Sequence, residues 1–177
     1  NDYQSSPIKH LADFDFFDNH VLAAHCVHLE PGDLEILKEN KVQVAHNPMS
    51  NAKLANGTAP VKEYLENDIN VGLGTDGVSS NNSLDMLKEA KMASYLQKIK
   101  YEDPTAIDID KILEILTVNG AEALALNDIG LIEEGYKADL QLIDTKNDSF
   151  YYPQQEALLF YLLFRGSVDI FLTNTLS

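Results

Sequence analysis

Two histidines and an aspartate occupy matching places in three short apolar runs of this 177-residue chain. They are His25 in Val21-Leu-Ala-Ala-His-Cys-Val27, His46 in Val42-Gln-Val-Ala-His46, and Asp76 in Asn70-Val-Gly-Leu-Gly-Thr-Asp76. Imidazole and carboxylate bind divalent metals and carry protons near neutral pH. Gathered on one surface, they could activate water for attack on a polarised carbon. Each also has an ordinary reading when taken singly. A histidine at a strand end is commonly packed and hydrogen-bonded, His28 reads as a loop residue, Cys26 as a small buried hydrophobe, and an isolated Asp-Gly as a turn. If the first run continues as a strand, His25 and Cys26 point to opposite faces, so only one of them can line a site.

The residues around the second and third runs add detail. Ala45-His-Asn-Pro-Met-Ser-Asn51 combines a strand-end histidine with side-chain donors suited either to holding a polar ring or to capping the backbone. Gly72-Leu-Gly-Thr-Asp-Gly-Val-Ser-Ser80 sets a carboxylate among glycines that let a metal or substrate approach closely.

The positioning elements follow from the apolar runs and their punctuation. All three runs are short, apolar or small, and end beside loop signals, as buried parallel strands do. Between them, 31–40 and 59–67 read as crossover helices, and two stronger helical patterns follow, Ser83 to Lys100 and Asp108 to Leu126. Alternating strand and helix make this an α/β chain. In α/β sheets and barrels the strands' carboxyl ends open onto the site, so chemistry belongs at His25, His46 and Asp76. A complete eightfold barrel takes about 250 residues. The expectation is therefore an open sheet or part of a barrel. From Gly130 the period changes: a turn-like stretch precedes an alternating strand over 138–144, and Val168 to Thr173 offers another. A boundary at Gly130 divides the chain into 1–129 and 130–177.

Composition narrows the function classes. Hydrophobic residues make up 45% and charged residues 23%, so the chain can bury a core. A net charge of −15, with 13 Lys and Arg, opposes attraction to phosphates and argues against nucleic acid as a partner. One cysteine cannot form an intrachain disulfide, and no apolar run is long enough to cross a membrane. A small-molecule partner in a reducing cytoplasm is expected. Asn1 at the start and Ile170-Phe-Leu-Thr-Asn174 near the end read as interrupted elements.

In order, these motifs resemble the strand-six, strand-seven and strand-eight signatures of the amidohydrolase superfamily. They are closest to deaminases acting on methylthioadenosine or S-adenosylhomocysteine and to triazine chlorohydrolases. The resemblance continues through Ser80-Asn-Asn-Ser83, Asn119-Gly-Ala-Glu-Ala-Leu124 and Gly130-Leu-Ile-Glu-Glu-Gly-Tyr-Lys-Ala-Asp-Leu140. It implies the carboxy-terminal part of a TIM-type (β/α)8 barrel, strands six to eight with flanking helices, followed by part of a small β-sandwich domain. It implies that Asp76 is the strand-eight carboxylate, binding a divalent metal and relaying a proton, and that His25 is the strand-six histidine that orients the attacking water. His46, Asn47 and Ser80 become residues of the substrate pocket or its surroundings. The implied cofactor is one zinc, with iron as the alternative, and a homo-oligomer fits the pattern.

The family's strand-one His-x-His and strand-five His-x-x-Glu do not occur here, and His28-Leu-Glu30 has the wrong spacing. Catalytic zinc ordinarily takes three protein ligands, so these residues alone should be inactive. The expected function is a segment of a hydrolase that deaminates an aminopurine nucleoside-type substrate. The alternatives are a related chlorohydrolase or other C–N hydrolase, and a non-catalytic module derived from the barrel.

Overall fold

The computed structural model describes residues 5–141. Three strands form a parallel sheet in the order β1 (Leu22–Ala24), β2 (Gln43–His46), β3 (Val71–Leu73). Leu22 pairs with Gln43 and Ala24 with Ala45; Val44 pairs with Val71 and His46 with Leu73. Parallel neighbours need crossover connections, and helices supply them. Those helices are α2 (Asp33–Glu39) between β1 and β2, and α3 (Pro48–Lys53) and α4 (Val61–Glu66) between β2 and β3. An amino-terminal α1 (Pro7–Ala12) and a 3-10 turn (Phe16–Asp18) precede the sheet. After it come α5 (Val78–Asn81), α6 (Met86–Tyr101), α7 (Ile109–Leu116) and α8 (Val118–Ala123).

The core lies between sheet and helices. Val44, Val61, Tyr64, Val71, Ile112 and Ile115 are fully buried there. The close fit extends to backbone: a Cβ on Gly72 of β3 would stand 3.0 Å from the Gly120 Cα in α8, so any larger residue would have to push α8 back.

The three expected strands that end at His25, His46 and Asp76 and the two crossover helices between them are present, with differences at the ends. Helix α6 opens at Asp85, whose Oδ1 accepts from the amides of Leu87 and Lys88 at 3.1 Å each. The helix expected over 108–126 breaks at Thr117, where φ −123° and ψ −90° leave the helical region and Oγ1 donates to Leu113 O at 2.7 Å. Three helices were not anticipated, α1, α3 and the short α5. The first two begin with proline after a polar residue, Ser6-Pro7 and Asn47-Pro48, and proline suits the first helical position.

Residues 130–141 form turns and irregular chain, so the strand expected over 138–144 is absent as far as residue 141. Its remainder and the strand at Val168 lie outside the described residues. Among the described residues no helix is long and apolar enough to cross a membrane.

Candidate active site

β1 does not continue through His25. The chain turns sharply after Ala24, and His25 and Cys26 take φ of 69° and 43°. The expected alternation of faces therefore fails. His25 is thrown over the carboxyl end of the sheet, while the Cys26 thiol turns back toward Ala23 O at 3.8 Å and burial raises its pKa to about 11. Asp76, two residues beyond the last hydrogen bond of β3, has φ 61°. Left-handed backbone is unfavourable for residues with a Cβ, and such outliers gather at functional sites.

These two bends bring His25 and Asp76 together across the end of β2. Nε2 of His25 lies 3.9 Å from Oδ2 of Asp76, with side chains 38% and 29% exposed. Each is held from below by α3: Ser50 Oγ donates to Asp76 Oδ2 at 2.6 Å, and Asn51 Oδ1 lies 2.9 Å from His25 Nδ1. Gly77 N–H donates to Asp76 Oδ1 at 2.7 Å. The Ser50 hydroxyl, then the Gly77 amide, the facing His25 and the Ser80 hydroxyl hold the Asp76 carboxyl below its ordinary pKa. It is ionised at neutral pH.

His46 and Asn47 lie beneath this surface. His46 is fully buried, both ring nitrogens lack a partner, and burial followed by the charge of His25 lowers its pKa to about 3. It is neutral through the physiological range. Asn47 is 5% exposed and packs its amide against Gly74, just past the end of β3, where a Cβ would stand 2.8 Å from Nδ2. Ser80, on α5, touches Asp76 directly. Unpartnered buried polar atoms among the described residues fall on His46, Asn47, Asn51 and Asn81, which marks a polar seam under the strand ends.

Sequence reasoning missed Ser50, Asn51 and Glu89. Glu89 of α6 is fully buried, accepts from Met49 N–H at 3.2 Å and from the Asn81 amide, and burial raises its pKa. The Asn47-Pro48 helix start could have revealed α3 and put Ser50 and Asn51 one turn from His46. Nothing local marks Glu89, which reads as a surface helix residue.

Comparison with known proteins decides the family. Residues 2–174 match the model of the Amidohydrolase family. The chain belongs to the amidohydrolase family. It is 44% identical over 161 residues to the 5-methylthioadenosine/S-adenosylhomocysteine deaminase of Halothermothrix orenii, covering 90% of this chain and 37% of that protein. The crystal structure of an adenosine deaminase from Xanthomonas campestris with bound zinc superposes with a TM-score of 0.85 at 34% identity, covering 92% of this chain and 37% of the other. The zinc complex of atrazine chlorohydrolase from Arthrobacter aurescens gives a TM-score of 0.84 at 25% identity, covering 92% and 36%. This amidohydrolase segment therefore spans little more than a third of the length of the relatives it matches.

Zinc in those two relatives makes a metal the natural question for His25 and Asp76. Two donors at about 2.0–2.1 Å from a tetrahedral zinc stand roughly 3.3 Å apart. The observed 3.9 Å lies close to that, one donor is an ionised carboxylate, and the other is an imidazole nitrogen facing it. The pair fits as part of a donor set. Among the described residues no group of three His, Cys, Asp or Glu could hold an ion.

Proposed function

We propose that this chain is part of a metal-dependent hydrolase that deaminates an adenosine-type substrate with activated water. The carrying observation is the His25–Asp76 pair at the carboxyl ends of β1 and β3, on one open surface and held by α3. The 44% identity to a methylthioadenosine/S-adenosylhomocysteine deaminase supports the same substrate class.

A bound divalent metal supplies Lewis acidity that lowers the pKa of water from about 15.7 toward about 7. Asp76, ionised at neutral pH, takes a proton from the attacking water and delivers it to the leaving nitrogen. His25 presents Nε2 to the same surface and orients the water oxygen toward the ring carbon. Oxygen bonds to that carbon, the C–N bond breaks, and the nitrogen leaves as ammonia. The ring keeps the oxygen as an oxo group and the second water proton on a ring nitrogen. His46, Asn47 and Ser80 belong to the surroundings of the substrate, with Ser80 reaching the carboxylate itself. Zinc is the proposed metal and iron the alternative. Asp76 would hold it, with His25 facing it across the surface and the remaining ligands on other residues of the full-length enzyme.

In this reading residues 1–129 form the carboxy-terminal portion of a (β/α)8 barrel, strands six to eight. Residues 130–177 form part of a composite β domain. The enzyme is cytoplasmic and self-associating.

The test uses the full-length protein carrying this segment. Ammonia release from methylthioadenosine or S-adenosylhomocysteine is expected, and Asp76→Asn should lower it about 10²–10⁴-fold with an unchanged thermal midpoint. No ammonia from any aminopurine would sink the deaminase reading. Chloride release from a chlorotriazine without deamination would select the second reading, which the likeness to atrazine chlorohydrolase favours.

A further inference from the structure

Three consecutive residues on the first turn of α3 each grip a different part of the strand-end surface. Met49 N–H donates to buried Glu89, Ser50 Oγ to Asp76 Oδ2, and Asn51 Oδ1 meets His25 Nδ1 at 2.9 Å. Lys53, one turn from Ser50, donates to Ser79 O at 2.8 Å beside the Asp76 loop. Ser50 and Asn51 have no exposure at all, so neither bond competes with water.

A neutral imidazole has two tautomers, and the partner of one nitrogen decides which the other presents. The Asn51 oxygen can only accept, so Nδ1 of His25 must carry the proton and donate it. Nε2 is left with its lone pair, and Nε2 is the nitrogen that faces Asp76. The Nε2–H tautomer would point a proton at that surface and leave the Asn51 oxygen buried without a donor.

We propose that Asn51 is a positioning residue that fixes His25 as its Nδ1–H tautomer, so that the Nε2 lone pair faces the reaction surface beside Asp76. Ser50 and Glu89 complete the device: Ser50 sets the rotamer of the carboxylate, and Glu89 anchors the helix turn that carries both residues. This inference rests on the reading of His25 and Asp76 as the chemical pair.

The experiment is a long-range ¹H–¹⁵N correlation spectrum of histidine-labelled full-length protein, before and after chelation of its metal, with the His25→Asn variant assigning the signal. Wild type should show a protonated Nδ1 and an unprotonated Nε2 in both states. Asn51→Leu should give averaged, mixed-tautomer nitrogens after chelation, and kcat should fall about 10–100-fold with KM nearly unchanged. Asn51→Asp, which keeps the acceptor, should restore the wild-type tautomer. A protonated Nε2 in chelated wild type, or an unchanged spectrum in Asn51→Leu, overturns the proposal. The spectrum reads the tautomer whether or not the protein turns over an aminopurine. Loss of the deaminase reading therefore shows in ammonia release alone, and failure of the Asn51 role shows in the spectrum.

Discussion

His46 sits at the end of β2 with no exposure and no partner for either ring nitrogen, one strand away from the half-buried His25. The two histidines differ by environment, since burial holds His46 neutral with a pKa of about 3. The sign of its effect on stability follows. The unfolded chain binds a proton near pH 6.5 that the folded chain refuses until about 3, so the contribution of His46 is complete above 6.5 and is lost as pH falls through that window. His46→Leu should flatten the acid limb of a denaturation series between pH 6 and 4, by at most ~1.4 kcal/mol per pH unit. An acid limb as steep in the variant as in wild type would show that His46 does not titrate on unfolding. His25, His46 and Asp76 were legible as a group because each closes an apolar run. Their division between an open surface and a buried layer was not, because it depends on the backbone bends after Ala24 and Gly74.

At the scale of elements, α6 does what local capping leaves undone. Neither α3 nor α4 has a side-chain hydrogen bond from its own N-cap. Glu89 accepts from Met49 N–H in α3, and Gln97, two turns along α6, accepts from Lys62 N–H in α4 at 3.2 Å. Gln97 also donates to Ala59 O at 3.0 Å. One helix thus satisfies the orphaned amides of two others from its buried face. Glu89→Ala leaves Met49 N–H without an acceptor and leaves the Asn81 amide with Thr75 O alone, and should cost about 3 kcal/mol in urea unfolding. Glu89→Gln keeps an acceptor for Met49, and the Asn81 amide keeps its bond to Thr75 O, so about 1 kcal/mol is expected. Equal losses in the two variants would place the effect in side-chain volume. The pattern over 83–100 made α6 readable as a helix, yet its polar buried face escaped sequence reasoning, because Glu and Gln on a helix ordinarily signal solvent.

At the scale of the whole molecule, the described sheet has an open edge at β1. Among the described residues β1 pairs with β2 alone, Leu22 on it is 41% exposed, and Phe14 and Phe16, a few residues before it, are 71% and 50% exposed. A parallel strand with a free edge and adjoining apolar surface invites association. The chain of residues 1–177 produced by itself should elute above its 19.7 kDa mass and bind a hydrophobic dye, whereas the full-length protein should bind little. A monodisperse, dye-silent monomer would mean that this segment closes its own surface. The same preparation should release no ammonia, since the described residues bring at most two donors to a metal.

The sequence by itself determined the alternation of strand and helix, the parallel sheet, the placement of His25, His46 and Asp76 at strand ends, and a likeness to amidohydrolases that comparison bears out. Those properties are written in short-range patterns of apolar runs, caps and spacing. Tertiary structure alone decided that His25 and Asp76 face each other while His46 is sealed beneath them, and that Ser50 and Asn51 meet the pair on a helix turn bonded to Glu89. Residues 26 and 40 positions apart meet there only because three parallel strands end at one level and α3 folds back across them. A contact of that kind leaves no trace in local periodicity.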